Sequence, residues 1–184
     1  KCCDGDECRN DASSYPIIFI HGHSFSKADS PEYSLDAFDG IRNALIDQGY
    51  ISVGTILPTS KYSSAPSGDW GKSGQPVLVK TTYYYDVYNN KGQLVNVPQK
   101  SESISTYSMR LNDVIDVVKK RAGRDKVNIV AHSMGGLVAR EYLRLYGTGS
   151  VNKLIMIGTP NHGVYGQVAD LCDSFWSGGD GNWA

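Results

Sequence analysis

The stretch Val127 to Gly136, Val-Asn-Ile-Val-Ala-His-Ser-Met-Gly-Gly, constrains the fold of this chain more than any other. A short apolar run (Val127, Ile129, Val130) meets a serine set among small residues, and a helical pattern of Leu137, Val138, Tyr142 and Leu145 begins directly after it. A sharp strand-to-helix turn leaves no room for large side chains two positions before and two after the serine, where Ala131 and Gly135 stand. Glycine is usual at the first of these positions, and alanine replaces it here. Such a turn lifts Ser133 Oγ clear of its own main chain. A hydroxyl is a poor nucleophile at neutral pH, so it gains reactivity there only with a base beside it. The competing reading makes Ser-Met-Gly-Gly a helix N-cap with glycines for close packing; the flanking strand and helix patterns favour the turn.

The rest of the chain alternates in a way that suits such a turn. Ile17-Ile18-Phe19-Ile20 is a continuous apolar run of strand length ending in His21-Gly22-His23-Ser24. Ser34 is placed to cap a helix with Leu35, Phe38, Ile41 and Leu45 on one face, closed by Gly49. Ile51 to Leu57 reads as a second strand, and the Ser/Gly/Pro-rich stretch from Pro58 to Pro76, with Trp70, as a surface loop. Residues alternate from Val79 to Tyr88, and Asn89-Asn90-Lys91-Gly92 turns the chain into Leu94 to Val97, predicting a hairpin with half-buried tyrosines. Ile104, Tyr107, Leu111, Val114, Ile115 and Val118 recur at helical spacing after Ser101 or Ser103 and before Gly123. The helix after Ser133 should stop near Gly147, and Val151 to Ile157 forms a further apolar strand. This order predicts an α/β fold, a mostly parallel sheet with helices on both faces, whose ligands bind beyond the carboxyl ends of the strands.

At 184 residues, with 40% hydrophobic content, the chain fits one domain with a real core. A net charge of −1 without clustered Lys/Arg argues against an electrostatic nucleic-acid binder. No apolar run approaches the ~20 residues that cross a bilayer. Cys2, Cys3, Cys8 and Cys172 suit two disulfides holding an N-terminal arm, hence a secreted protein or an oxidising compartment. A zinc cluster is the rival, but a paired C-x-x-C is lacking, and no metal is expected. The expected parts are a Cys-rich arm over 1–14, a core over 15–165 and a lid-like or frayed segment over 166–184, where Phe175, Trp176 and Trp183 stand among glycines.

Three strand ends carry the chemistry: Phe19-Ile20-His21-Gly22-His23, Ala131-His132-Ser133-Met134-Gly135-Gly136, and Ile157-Gly158-Thr159-Pro160-Asn161-His162-Gly163. In that order, over roughly Pro16 to Gly163, they resemble the bacterial-type triacylglycerol lipases and related esterases of the α/β-hydrolase superfamily. The resemblance implies Ser133 as the acyl-accepting nucleophile and the backbone N–H groups of His23 and Met134 as the oxyanion hole. Fixed N–H dipoles aimed at an oxyanion are worth ~3 to 4 kcal/mol of barrier each. No organic cofactor is implied, because serine, base and oxyanion hole suffice. Acylglycerol-like lipid esters are the implied substrates, with contact at a lipid interface.

The family pattern also requires an acid and then a histidine on later strands. His162 is the one histidine after Ser133, at a position the family uses for a turn, so it stands either as base or as a turn residue. Asp170, Asp173 and Asp180 stand as acid, as calcium ligands, or as solvated loop residues. The expectation is therefore the N-terminal part of a longer hydrolase, missing the last strands, with acid and base supplied by a C-terminal part or a second chain. The same serine turn serves a phospholipid or lipid-anchor deacylase, an acyltransferase or a thioesterase. A non-catalytic lipid- or partner-binding domain is the reading from another class.

Overall fold

A computed structural model describes residues 12–23, 33–58, 68–71 and 74–163. Cys2, Cys3, Cys8, Cys172, Asp170, Asp173 and Asp180, and the aromatics of the expected lid segment, lie outside the described residues.

A five-stranded parallel sheet forms the body, built from β1 (Ile17–Ile20), β2 (Ile51–Ile56), β3 (Val77–Thr81), β6 (Val127–His132) and β7 (Val151–Ile157). Its spatial order is β2-β3-β1-β6-β7. The helices are α1 (Asp39–Ile46), α2 (Ile104–Ala122) and α3 (Met134–Tyr146), and the hairpin of β4 (Tyr85–Asn90) and β5 (Gln93–Pro98) stands as a separate two-stranded sheet. The central strands read as unbroken apolar runs because both of their faces are covered. Ile18, Ile20, Val77, Val79, Ile129 and Ala131 pack toward α2 and α3, which contribute Leu111, Ile115, Val118, Val138 and Tyr142. Phe19, Leu78 and Val130 face the other way, onto Leu35 and Phe38, with the Phe19 and Phe38 rings 5.2 Å apart. Each such side chain withdrawn from water stabilises the fold by roughly 1.5 to 3 kcal/mol.

Local signals set the helix ends. Ser103 Oγ accepts the Thr106 N–H at 3.1 Å to cap α2, and Gly123 closes it in the left-handed conformation at φ 64°. Gly147 stops α3, its N–H bonded to Leu143 O at 2.9 Å. The Asn89-to-Gly92 turn forms as expected: Lys91 and Gly92 take φ of 50° and 88°, and Gly92 N–H donates to Asn89 Oδ1.

Elsewhere the pattern is overridden. The segment expected to begin at a Ser34 cap starts as a 3-10 turn over Tyr33–Phe38, and the α-helix that follows has Phe38 at its N-cap with no side-chain cap bond. The tighter turn shifts the apolar face, burying Leu35 and Phe38 while Ile41 is left 45% exposed. Trp70, expected on a surface loop, is buried in the main core because its large apolar ring fills space beside the sheet. The alternating run from Val79 to Tyr88 is two strands of different sheets, broken at Thr82 to Tyr84, and Tyr83 and Tyr84 are fully buried where half-burial was expected. Arg124, in the polar link before β6, is buried with its Nε–H donated to Ser14 Oγ at 2.9 Å.

Candidate active site

The chain runs from β1 to β2 and β3 on one side, then crosses back to place β6 on the other side of β1. The direction of winding therefore reverses between β1 and β6. Loops leaving the carboxyl ends of strands at such a point diverge and open a crevice. His21-Gly22-His23 leaves β1 there, Ser133 leaves β6, and Gly158-Thr159 leaves neighbouring β7.

Ser133 has φ 51° and ψ −124°, a conformation that side-chain-bearing residues rarely adopt and that costs on the order of 1 to 3 kcal/mol. Its N–H is held by Ile157 O at 2.8 Å, its carbonyl accepts Gly136 N–H at 3.0 Å, and its side chain makes no cap bond to α3. The residue as a whole is half-buried.

Close approach explains the glycines around it. A Cβ on Gly22 would lie 2.9 Å from both Ser133 Cβ and His132 Nδ1. On Gly135 a Cβ would overlap the His21 carbonyl oxygen and sit 3.0 Å from Ile20 O. One on Gly136 would strike the Thr159 side chain, 2.8 Å from its Cβ. Thus the β1 loop, the start of α3 and the β7 loop meet at this turn with no space for another methyl group.

The β1 loop is tied inward. His21 is fully buried, its ring stacked 4.3 Å from that of Tyr83 and tilted 4.7 Å from that of Tyr84. Its Nδ1 lies 2.6 Å from Gly22 O and its Nε2 2.7 Å from Thr82 Oγ1, while Tyr83 OH donates to His21 O at 2.9 Å. Burial, opposed by the bond to Gly22 and aided by the charge of Lys100, lowers the His21 pKa to about 4. His23 is half-buried with Nδ1 3.1 Å from Tyr84 OH, and burial, then Lys100, lowers its pKa as well. Sequence reading did not find this layer. Thr82, Tyr83 and Tyr84 are some sixty positions from His21, and the signal in reach was a cluster of tyrosines ending an apolar strand.

Of the residues expected in the site, Ser133 and Met134 adjoin at the start of α3, and His23 follows Gly22, whose backbone lies close to Ser133 Cβ. His162 is exposed in the turn after β7, where Asn161 Oδ1 accepts from Arg140 at 3.0 Å. His132 has its ring near Gly22 and Gly158. Among the described residues no hydrogen bond joins either histidine to Ser133, and no three His, Cys, Asp or Glu side chains converge as metal ligands. No described helix is long and apolar enough to cross a membrane.

Comparison with known proteins bears on the fold. The model of a family described as the alpha/beta hydrolase fold matches residues 15–178. Phospholipase A(1) LCAT3 of Arabidopsis thaliana is 35% identical over 75 residues, 39% of this chain and 17% of its own. A gene product of Listeria innocua superposes with TM-score 0.51 at 21% identity, over 80% of this chain and 52% of its own. The mature lipase BlEst2 of Bacillus licheniformis gives TM-score 0.46 at 20% identity, over 95% of this chain and 52% of its own. The chain thus spans about half the length of these two structures and far less of the plant phospholipase.

Proposed function

We propose, from the premise that this chain belongs to the alpha/beta hydrolase fold family, that it carries the nucleophile of a serine carboxylic-ester hydrolase acting on acylglycerol-like lipid esters. Ser133 Oγ attacks the ester carbonyl and gives its proton to a histidine base. The oxygen of the resulting tetrahedral centre is stabilised by the N–H groups of His23 and Met134. Collapse expels the alcohol, which takes the proton from the histidine, and leaves an acyl group on Ser133. Water, giving a proton to the same base, then attacks the acyl carbon, and the acid leaves as the base returns that proton to Ser133 Oγ.

One observation carries this reading. Ser133 is held at φ 51° at the end of β6 with the β1 loop packed against its Cβ, a strain the fold retains although glycine would remove it. The strand beside it supports a further point. Ile155, Met156 and Ile157 of the edge strand β7 are 52%, 38% and 39% exposed, an apolar edge suited to covering by more of the sheet. Acid and base are accordingly placed outside the described residues, either in a C-terminal part or on a second chain, with Asp170, Asp173 and Asp180 as acids in reach of the sequence. The plant phospholipase supports lipid esters as the substrate class. Export, with the cysteines in disulfides, belongs to the same proposal.

A non-catalytic lipid- or partner-binding role is the second reading, favoured by the lack of a base bonded to Ser133 among the described residues. Esters of graded acyl length, assayed with the full protein, separate the two. Hydrolysis that rises with acyl length and falls on the order of a thousandfold or more in Ser133→Ala is expected. Equal rates for the two proteins would overturn the enzyme reading.

A further inference from the structure

We infer that His21 is a positioning residue for the oxyanion loop: by holding the Gly22 carbonyl inward it turns the His23 amide N–H outward, to where a substrate oxygen would sit. This rests on the proposed role of Ser133.

Gly22 O is solely an acceptor, so the 2.6 Å bond from His21 Nδ1 assigns the ring proton to Nδ1. Nε2 then carries a lone pair and accepts the Thr82 hydroxyl proton at 2.7 Å. Thr82 is free to donate because its oxygen already accepts Tyr84 N–H at 3.2 Å. Every donor in this chain of bonds meets an acceptor, and only the neutral, Nδ1-protonated ring satisfies it. The low pKa produced by burial agrees.

Geometry converts this into a direction. The peptide between Gly22 and His23 is trans, so its C=O and N–H point opposite ways. With the carbonyl drawn to the buried ring, the His23 N–H faces away from the core. Tyr83 OH fixes the preceding carbonyl, His21 O, at 2.9 Å, and that oxygen lies so close to Gly135 that no side chain fits between them. Gly22 itself abuts Ser133. The loop is thus held on both sides of Gly22, and the ring, stacked on Tyr83 and tilted against Tyr84, is bonded at both nitrogens. The same facts exclude His21 as the general base, because both of its nitrogens are engaged and neither meets solvent.

Two substitutions in the full protein test this. His21→Phe keeps an aromatic ring against Tyr83 and Tyr84 but deletes both bonds, whereas His21→Asn restores an N–H near the place of Nδ1–H. The expected result is that His21→Phe lowers kcat about 10- to 100-fold, less than deleting a donor outright. KM stays within about threefold, and His21→Asn recovers most of the loss. The ratio of ester to thionoester hydrolysis should fall in His21→Phe, because sulfur accepts hydrogen bonds poorly and gains little from the donor in the first place. A purely structural role would slow both substrates alike. An unchanged ratio, or a His21→Asn protein as slow as His21→Phe with both melting like the wild type, would overturn the inference. If the wild type neither turns over ester nor reacts with a fluorophosphonate, the reading of Ser133 fails. Imidazole nitrogen NMR then judges His21 by itself: a proton on Nδ1 at neutral pH supports the clamp, and a proton on Nε2 or on both nitrogens overturns it.

Discussion

Replacing Ser133 with glycine should make the protein more stable while removing the hydroxyl proposed as its nucleophile. The φ of 51° at Ser133 lies where a Cβ is strained, and such a residue costs on the order of 1 to 3 kcal/mol. Glycine removes that strain but brings back about 0.4 to 1 kcal/mol of backbone freedom in the unfolded chain. It also surrenders the packing of Ser133 Cβ against Gly22, worth at most ~0.8 kcal/mol for a fully buried carbon and less at this half-buried site. The net expectation is a gain of about 1 kcal/mol, or roughly 2 to 4 °C in Tm for a chain of this size. Ser133→Ala is the proper reference, because it loses the same hydroxyl and keeps the strained Cβ. Urea denaturation of the two variants side by side, followed by tryptophan fluorescence with Trp70 as a buried reporter, measures the difference. A Ser133→Gly protein no more stable than Ser133→Ala would show that the turn stores no strain.

Two further outcomes follow from the packing and charge of the site. Gly136→Ala should lose about 1 to 3 kcal/mol from overlap with the Thr159 side chain, and Thr159→Gly in the same protein should recover much of it in a denaturation series; no recovery would mean that the two loops do not meet as described. His21, with its pKa lowered from 6.5 to about 4, binds its proton less readily when folded than when unfolded. Its contribution is complete above pH 6.5 and lost as pH falls toward 4, about 3 kcal/mol in all. Wild-type stability measured against His21→Phe should therefore shrink across that window, and a constant difference would refute the burial of a neutral ring. Glu141, which its bonds to Arg144 hold down to about 2, loses its proton-linked contribution only below 4.5, so it does not blur the comparison.

The features legible in the sequence are those fixed by neighbours along the chain. Ala131, Ser133 and Gly135 announce the turn because its sterics act over five residues, and Ser103, Gly123 and Gly147 mark helix ends because caps are local. The run from Val79 to Tyr88 misled because period-two alternation continues across the break at Thr82 to Tyr84; nothing local says that the first half joins one sheet and the second half another. Ile41 was misplaced because a 3-10 turn and an α-helix present different faces from one pattern. The clamp on His21 was out of reach for another reason. It joins residues brought together by the pairing of β1 with β3, and that pairing is known only once the sheet is built.

The claim on which the account turns is that Ser133 is an activated nucleophile. Treating the full protein with a fluorophosphonate and mapping the adduct by peptide mass spectrometry tests it directly. One modified residue, Ser133, is expected, with no labelling of Ser133→Ala. An unlabelled native protein, or an adduct that persists in Ser133→Ala, would contradict it.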